Sequence, residues 1–235
     1  MSAGASPPGW HGKLPALGDF ASRRLDASFI EPWDGWLATG LLALKQARPE
    51  GWLADYLGSP SWRFLLLPGV LPGAAGAQSW AGVLMPSVDR VGRYYPLTIA
   101  QAFDALPADA AGVEALWTWL LKLDEAAADA LHEDWSIDTL ETELARLIAP
   151  QAVPPVAVPQ PDAGRRVTEL SLQGLPHLGS LLLAQAASAW REQNHGRAFW
   201  SAQADQGLPR SIASPGLERD RLLRELFGAA PDPAV

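Results

Sequence analysis

At 235 residues, with 48% hydrophobic and 19% charged side chains, the chain can bury a sizeable core and does not read as disordered. Its formal net charge of −8 opposes the phosphate backbone of a nucleic acid, and no basic run of useful length counters that field. Cysteine is absent, which removes disulfides, thiol nucleophiles and thiolate metal sites together and suits a reducing compartment.

No apolar run approaches the roughly 18 residues that cross a bilayer, Leu65–Leu67 being typical of the longest. Met1–Pro8 has neither a basic n-region nor an apolar h-segment. These features predict a cytoplasmic protein with no membrane insertion. Eleven tryptophans are the compositional oddity, and indole side chains serve both cores and binding anchors.

In chain order, residues 8–20 form a short extended segment that Gly and Pro break into a loop. A helix follows, with Ser28 and Glu31 at capping-box spacing and Pro32 in its first turn. Phe29, Trp33, Trp36, Leu37, Gly40, Leu41 and Leu44 share one of its faces. A shorter helix covers Gly51–Leu57.

Three strands are then predicted, Trp62–Leu67, Trp80–Met85 and Tyr94–Phe103. Between the first two, Pro72–Ala77 reads as a flexible hairpin loop. The short link Ser87–Arg93 requires antiparallel neighbours, because a parallel pair needs a longer crossover.

Val113, Leu116, Leu120 and Leu123 mark an amphipathic helix over Asp109–Glu133. Ile137, Leu140, Leu144 and Leu147 mark another, with Ser136 as N-cap. Five prolines between Pro150 and Pro161 then make a stiff linker. Beyond it come a strand near Val167–Leu172, a helix near Ser180–Trp190, a strand near Ala198–Ala202 and a helix over Leu217–Phe227.

The class expected is α/β, a layered mixed β-sheet flanked by helices. Residues 1–149 form the main body, 150–165 the linker, and 166–235 a segment too poor in apolar residues to fold alone, which completes the same domain.

No catalytic set emerges. His11 lacks a second His or paired carboxylate at metal-ligand spacing and reads as a packed or surface histidine. Ser79 and Ser87 are outside any nucleophile elbow, and Gly69–Gly76 lacks a phosphate-loop pattern.

The densest polar set is Asp89, Arg90 and Arg93. It forms either an ion-pair network that fixes the turn or a pair of guanidiniums that grips a carboxylate or phosphate on a partner. Asp19, Arg23 and Arg24 form a second cluster. The reading is of a non-enzymatic binding protein without cofactor or metal. The alternatives are a small anion-binding hydrolase or transferase using Asp19, His11 and the Arg90/Arg93 pair, or a structural subunit of a larger assembly.

Several segments together resemble the TagF family, accessory regulators of bacterial type VI secretion. They are Gly9-Trp-His-Gly-Lys-Leu-Pro15, Gly18-Asp-Phe20 with Arg23-Arg24, Glu31-Pro-Trp33, Trp62-Arg-Phe64 and the long run Trp80–Pro96. Phe199-Trp200 stands where relatives often have paired tryptophans. The resemblance implies a layered α/β fold. It also implies a cytoplasmic, post-translational repressor that acts through an FHA-domain scaffold protein of the secretion machine, without a threonine-phosphorylation switch. Some relatives are fused to a phosphatase, but no such activity carries over to this shorter chain.

Overall fold

The computed structural model describes residues 6–107, 109–150, 178–203, 209–218 and 221–228. The predicted strand near Val167–Leu172 and all of the Pro-rich linker beyond Pro150 lie outside the described residues. Among the described residues, seven strands form one sheet in the order β2-β1-β5-β4-β3-β6-β7. They are β1 Gly9–Gly12, β2 Ala21–Arg23, β3 Trp62–Leu66, β4 Ser79–Met85, β5 Leu97–Phe103, β6 Arg197–Ala202 and β7 Arg210–Pro215. Every pairing is antiparallel.

Helices cover both faces, which makes the α/β class a three-layer arrangement. On one side lie α1 Ala27–Ala47, α2 Trp52–Leu57 and α6 Leu222–Phe227. On the other lie α3 Ala110–His132 and α4 Ile137–Leu144. Alternation along each strand feeds the two cores. Trp62, Phe64 and Leu66 of β3 enter the first core with Phe29, Trp33 and Trp200. Ala81, Val83 and Met85 of β4 enter the second with Leu116, Leu120 and Leu123. β4 is buried along its whole length, as a strand covered on both faces must be.

The tryptophans are chiefly core residues. Trp33 packs at 5.1–6.1 Å centroid distance against Trp36, Phe64 and Trp200, stacking on the last. Among the buried indoles, Trp33 donates to Thr98 Oγ1 at 2.9 Å and Trp62 to the Leu226 carbonyl at 2.9 Å, whereas Trp200 Nε1 has no acceptor among the described residues.

The segment after the linker completes the sheet, because β6 pairs with β3 and β7 extends it. α5, Leu178–Gln193, lays Trp190 over Phe199 with ring centroids 5.4 Å apart. α6 docks on α1 where Gly40 has no side chain; a Cβ there would stand 2.1 Å from Leu223 Cδ1.

Several local features differ from the sequence reading. α1 starts at Ala27 with Asp26 in the N-cap position, and no side chain caps it. Leu25 already reaches the core, so the chain turns into helix before Ser28. Pro32 therefore lies in the second turn. Pro72–Ala77 contains a 3-10 turn over Gly73–Ala77, whose Ala75 carbonyl accepts from the Trp80 indole at 3.0 Å.

β5 begins at Leu97, not Tyr94, since Pro96 has no N–H to give to a ladder. Residues 8–20 contribute strand β1, with β2 just beyond, and α6 is shorter than Leu217–Phe227, beginning at Leu222. Val113 is exposed, at the edge of the α3 stripe. Ser136 caps α4 as expected, accepting from Thr139 N at 3.1 Å, and Asp109, read as the first residue of the preceding helix, is instead its N-cap, accepting from Gly112 N at 2.9 Å.

Candidate functional site

The end of β1 and the β4–β5 connection meet at one end of the sheet. Gly12, at φ +137°, permits this approach, since a Cβ there would lie 2.2 Å from the Pro96 carbonyl oxygen. The next residue, Lys13, is carried under the turn at 89–93. Its Nζ lies 2.6 Å from Asp89 Oδ2, and both side chains are buried.

Asp89 organises that turn. Its Oδ1 accepts from the amides of Val91 at 3.1 Å and Arg93 at 2.9 Å, and Arg93 Nε donates to Oδ2 at 2.7 Å. Burial alone would raise the Asp89 carboxyl. The bonds from Lys13, from the amide and guanidinium of Arg93 and from the Val91 amide outweigh it and hold the group well below the usual carboxylate range. Behind the turn, Ser87 Oγ donates to the Lys13 carbonyl at 2.7 Å. Tyr56 both donates to the Ser87 carbonyl and accepts from its amide, at 3.0 and 2.8 Å.

Beside this network is a histidine–aromatic cluster. Phe20 stacks on the His11 ring at 5.9 Å, meets Tyr95 edge-on at 4.8 Å and lies 4.8 Å from Lys13 Nζ. Asp34 on α1 accepts from the Tyr95 hydroxyl, and His11 Nε2 stands 3.5 Å from the same carboxylate oxygen. Burial first, then the hydrogen bond and charge of Asp34, push the Tyr95 hydroxyl above its ordinary range. His11 Nδ1 is buried with no hydrogen-bond partner among the described residues.

Among the residues singled out in the sequence, Asp19, Asp89, Arg90 and Arg93 come together here. Arg93 Nη2 donates to the Gly18 carbonyl and lies 4.0 Å from Asp19 Oδ1. Arg90 donates its amide to the Leu17 carbonyl at 2.8 Å, but its exposed guanidinium has no hydrogen-bond or ion-pair partner among the described residues. Val91 at the tip is 64% exposed and Phe20 45%.

Arg23 and Arg24 do not join this group. Arg24, at φ +58°, donates to the Pro8 carbonyl and to both Glu141 oxygens, while Trp10 Nε1 donates to Glu141 Oε1 at 2.6 Å. That arrangement ties α4 to the β1–β2 hairpin. The Arg24 hydrogen bond, with smaller help from Trp10, holds Glu141 below its ordinary value despite desolvation. Arg23 is exposed and donates to the Ser22 carbonyl at 2.8 Å.

Lys13, Asp34, Ser87 and Tyr95 complete the site. Lys13, Ser87 and Tyr95 stand within the segments that carry the family resemblance, but nothing local pairs Lys13 with Asp89 or Tyr95 with Asp34. Among the described residues no group of three or more His, Asp or Glu side chains could hold a metal, and no helix is long and apolar enough to cross a membrane.

Comparison with curated proteins finds no match. Among solved structures, the fold is similar to the crystal structure of PA0076 from Pseudomonas aeruginosa PAO1. The TM-score is 0.73, with 30% identity over 97% of each chain. The family model for the TagF N-terminal domain, type VI secretion system-associated, matches residues 9–147. That span holds the whole Lys13–Asp89–Arg93 network and its aromatic neighbours, and with more than half of the sequence matched, the chain belongs to the TagF family of type VI secretion-associated proteins.

Proposed function

We propose that the protein is a cytoplasmic, post-translational repressor of type VI secretion that binds the FHA-domain scaffold protein of the machine and catalyses no reaction. One observation carries the choice of surface. The 89–93 turn holds an exposed, unpaired Arg90 guanidinium beside exposed Val91 and Phe20, on a loop braced from beneath by the buried Lys13–Asp89 pair. Arginine and aromatic groups dominate binding hot spots, and a braced loop loses little entropy on docking. The tip is basic on a chain of net charge −8, so an acidic patch on the partner complements it.

The test is genetic and biochemical. Deleting the gene raises secretion of the tube protein. Overexpression abolishes it while levels of the machine's components stay constant, and the purified chain binds the purified FHA-domain protein. Unchanged secretion in both strains, with the machine assembled, would overturn the repressor reading.

A further inference from the structure

Phe20, immediately before β2, is held more closely than its burial requires. The side chain joins neither hydrophobic core and is 45% exposed, so its burial adds little to folding. Yet the ring is gripped by three side chains. His11 stacks on it at 5.9 Å, Tyr95 meets it edge-on at 4.8 Å, and Lys13 Nζ lies 4.8 Å from its centre. The loop backbone is fixed as well. Asp19 Oδ1 accepts from the Phe20 amide at 2.8 Å, Arg93 Nη2 donates to the Gly18 carbonyl, and the Leu17 carbonyl accepts from the Arg90 amide.

The grip depends on a residue of another element. Tyr95, just before β5, and His11, on β1, converge on one carboxylate oxygen of Asp34, on α1. Among the described residues Asp34 is the only hydrogen-bond partner of either side chain. The two rings that flank Phe20 are thereby set nearly at right angles, at 80°. Asp34 is itself half-exposed, and a carboxylate that water can reach gains little net energy from one more bond. What the contact fixes is orientation.

The geometry points to Asp34 and Tyr95 as positioning residues that preset Phe20 as the aromatic anchor of the tip, for insertion into an apolar recess with an acidic rim on the scaffold protein. This deepens the repressor reading and rests on it. The recess follows from the apolar part of the ring left in water, and the acidic rim from the unpaired guanidinium beside it. Arg90 Nη2 lies 3.6 Å from where a Cβ on Gly18 would stand, two residues from Phe20. An anchor already ordered in the free protein loses little entropy on docking, and aromatic groups beside arginine are where binding energy concentrates.

Affinity of the full chain for the purified FHA-domain protein is measured by titration calorimetry, and the Phe20 ring signals by NMR in the free protein. Phe20→Ala should weaken binding about tenfold or more. Tyr95→Phe and Asp34→Ala should each weaken it about threefold to tenfold, in chains whose melting curves show them folded. Asp34→Asn keeps the acceptor and should stay within about twofold of the unaltered chain. Adding Asp34→Ala to Phe20→Ala should cost nothing further, since Asp34 acts through the ring. In the free protein, Asp34→Ala and Tyr95→Phe should move the Phe20 ring signals towards unstructured values, whereas Asp34→Asn should not. Full affinity of Phe20→Ala, loss of affinity in Asp34→Asn, additive losses in the double variant, or ring signals unmoved by Tyr95→Phe would each overturn the proposal. Absence of binding by the unaltered chain defeats the repressor reading instead, and the ring signals still decide whether Asp34 and Tyr95 position Phe20.

Discussion

Lys13 Nζ and Asp89 Oδ2 lie 2.6 Å apart, both side chains buried, although 76 positions separate them in the chain. The pair joins the end of β1 to the turn between β4 and β5. Desolvation makes such a pair weak evidence of net stabilisation, yet it penalises the loss of either partner severely. Its value lies in fixing where the turn points.

Asp89→Ala should therefore unfold the turn and lower Tm by about ten degrees, because it strands the Lys13 ammonium in a dry site. Replacing both members, Lys13→Met with Asp89→Leu, should recover part of that loss. Thermal melting of the single and double variants by circular dichroism checks this.

Arg90 and Arg93 should behave differently although they are three residues apart. Arg93→Glu breaks the bonds to Asp89 and to the Gly18 carbonyl and should cost stability. Arg90→Glu removes only an unpaired exposed charge, so Tm should move by about one degree or less while scaffold binding weakens about tenfold or more. Melting curves alongside a pull-down of the FHA-domain protein separate the two effects. Full repression by a folded Arg90→Glu variant would move the contact surface elsewhere.

Acid should weaken the fold through Asp89 and Glu141. Both carboxyls have depressed values in the native state, so native pairing favours their ionised forms. The resulting stability is complete above their unfolded values of about 4 and is lost as the pH falls below them. Urea unfolding between pH 6 and 3 should show stability declining below about pH 4, and Glu141→Gln should flatten that decline.

At the alkaline end the sign reverses. Burial pushes the Tyr56 hydroxyl up, and burial with Asp34 pushes Tyr95 up. Their contribution is complete below the unfolded value of about 10 and is lost as the pH rises beyond it. Absorbance at the phenolate band should show these two tyrosines, of three in the chain, ionising only together with cooperative unfolding. Early, non-cooperative ionisation of all three would contradict the buried placement.

Gly40→Ala should separate α1 from α6, because its Cβ would clash with Leu223 at 2.1 Å. A cost of about 1–3 kcal/mol is expected from overpacking. Leu223→Ala in the same chain removes Cδ1 and Cγ but leaves Cβ at 2.8 Å, so it should relieve most of the clash and give a non-additive cycle in urea unfolding.

The sequence by itself determined the elements and their sidedness. Phe29, Trp33, Trp36 and Leu37 fall on one helical face at 3.6-residue spacing, and the short Ser87–Arg93 link dictated the antiparallel β4–β5 pair. These are local properties, fixed by a few neighbouring residues. The grouping of Asp89, Arg90 and Arg93 was legible for the same reason. Lys13 beneath Asp89, Asp34 between His11 and Tyr95, and Glu141 on Arg24 were not, since each pair comes from elements distant in sequence. Only the order β2-β1-β5-β4-β3-β6-β7 brings β1 beside β5 and β6 beside β3, and that order follows from burying both sheet faces at once. The same packing consumed most of the tryptophans that composition had left free for a binding surface, and buried Arg63, which local sequence would place in water, against Asp124 of α3.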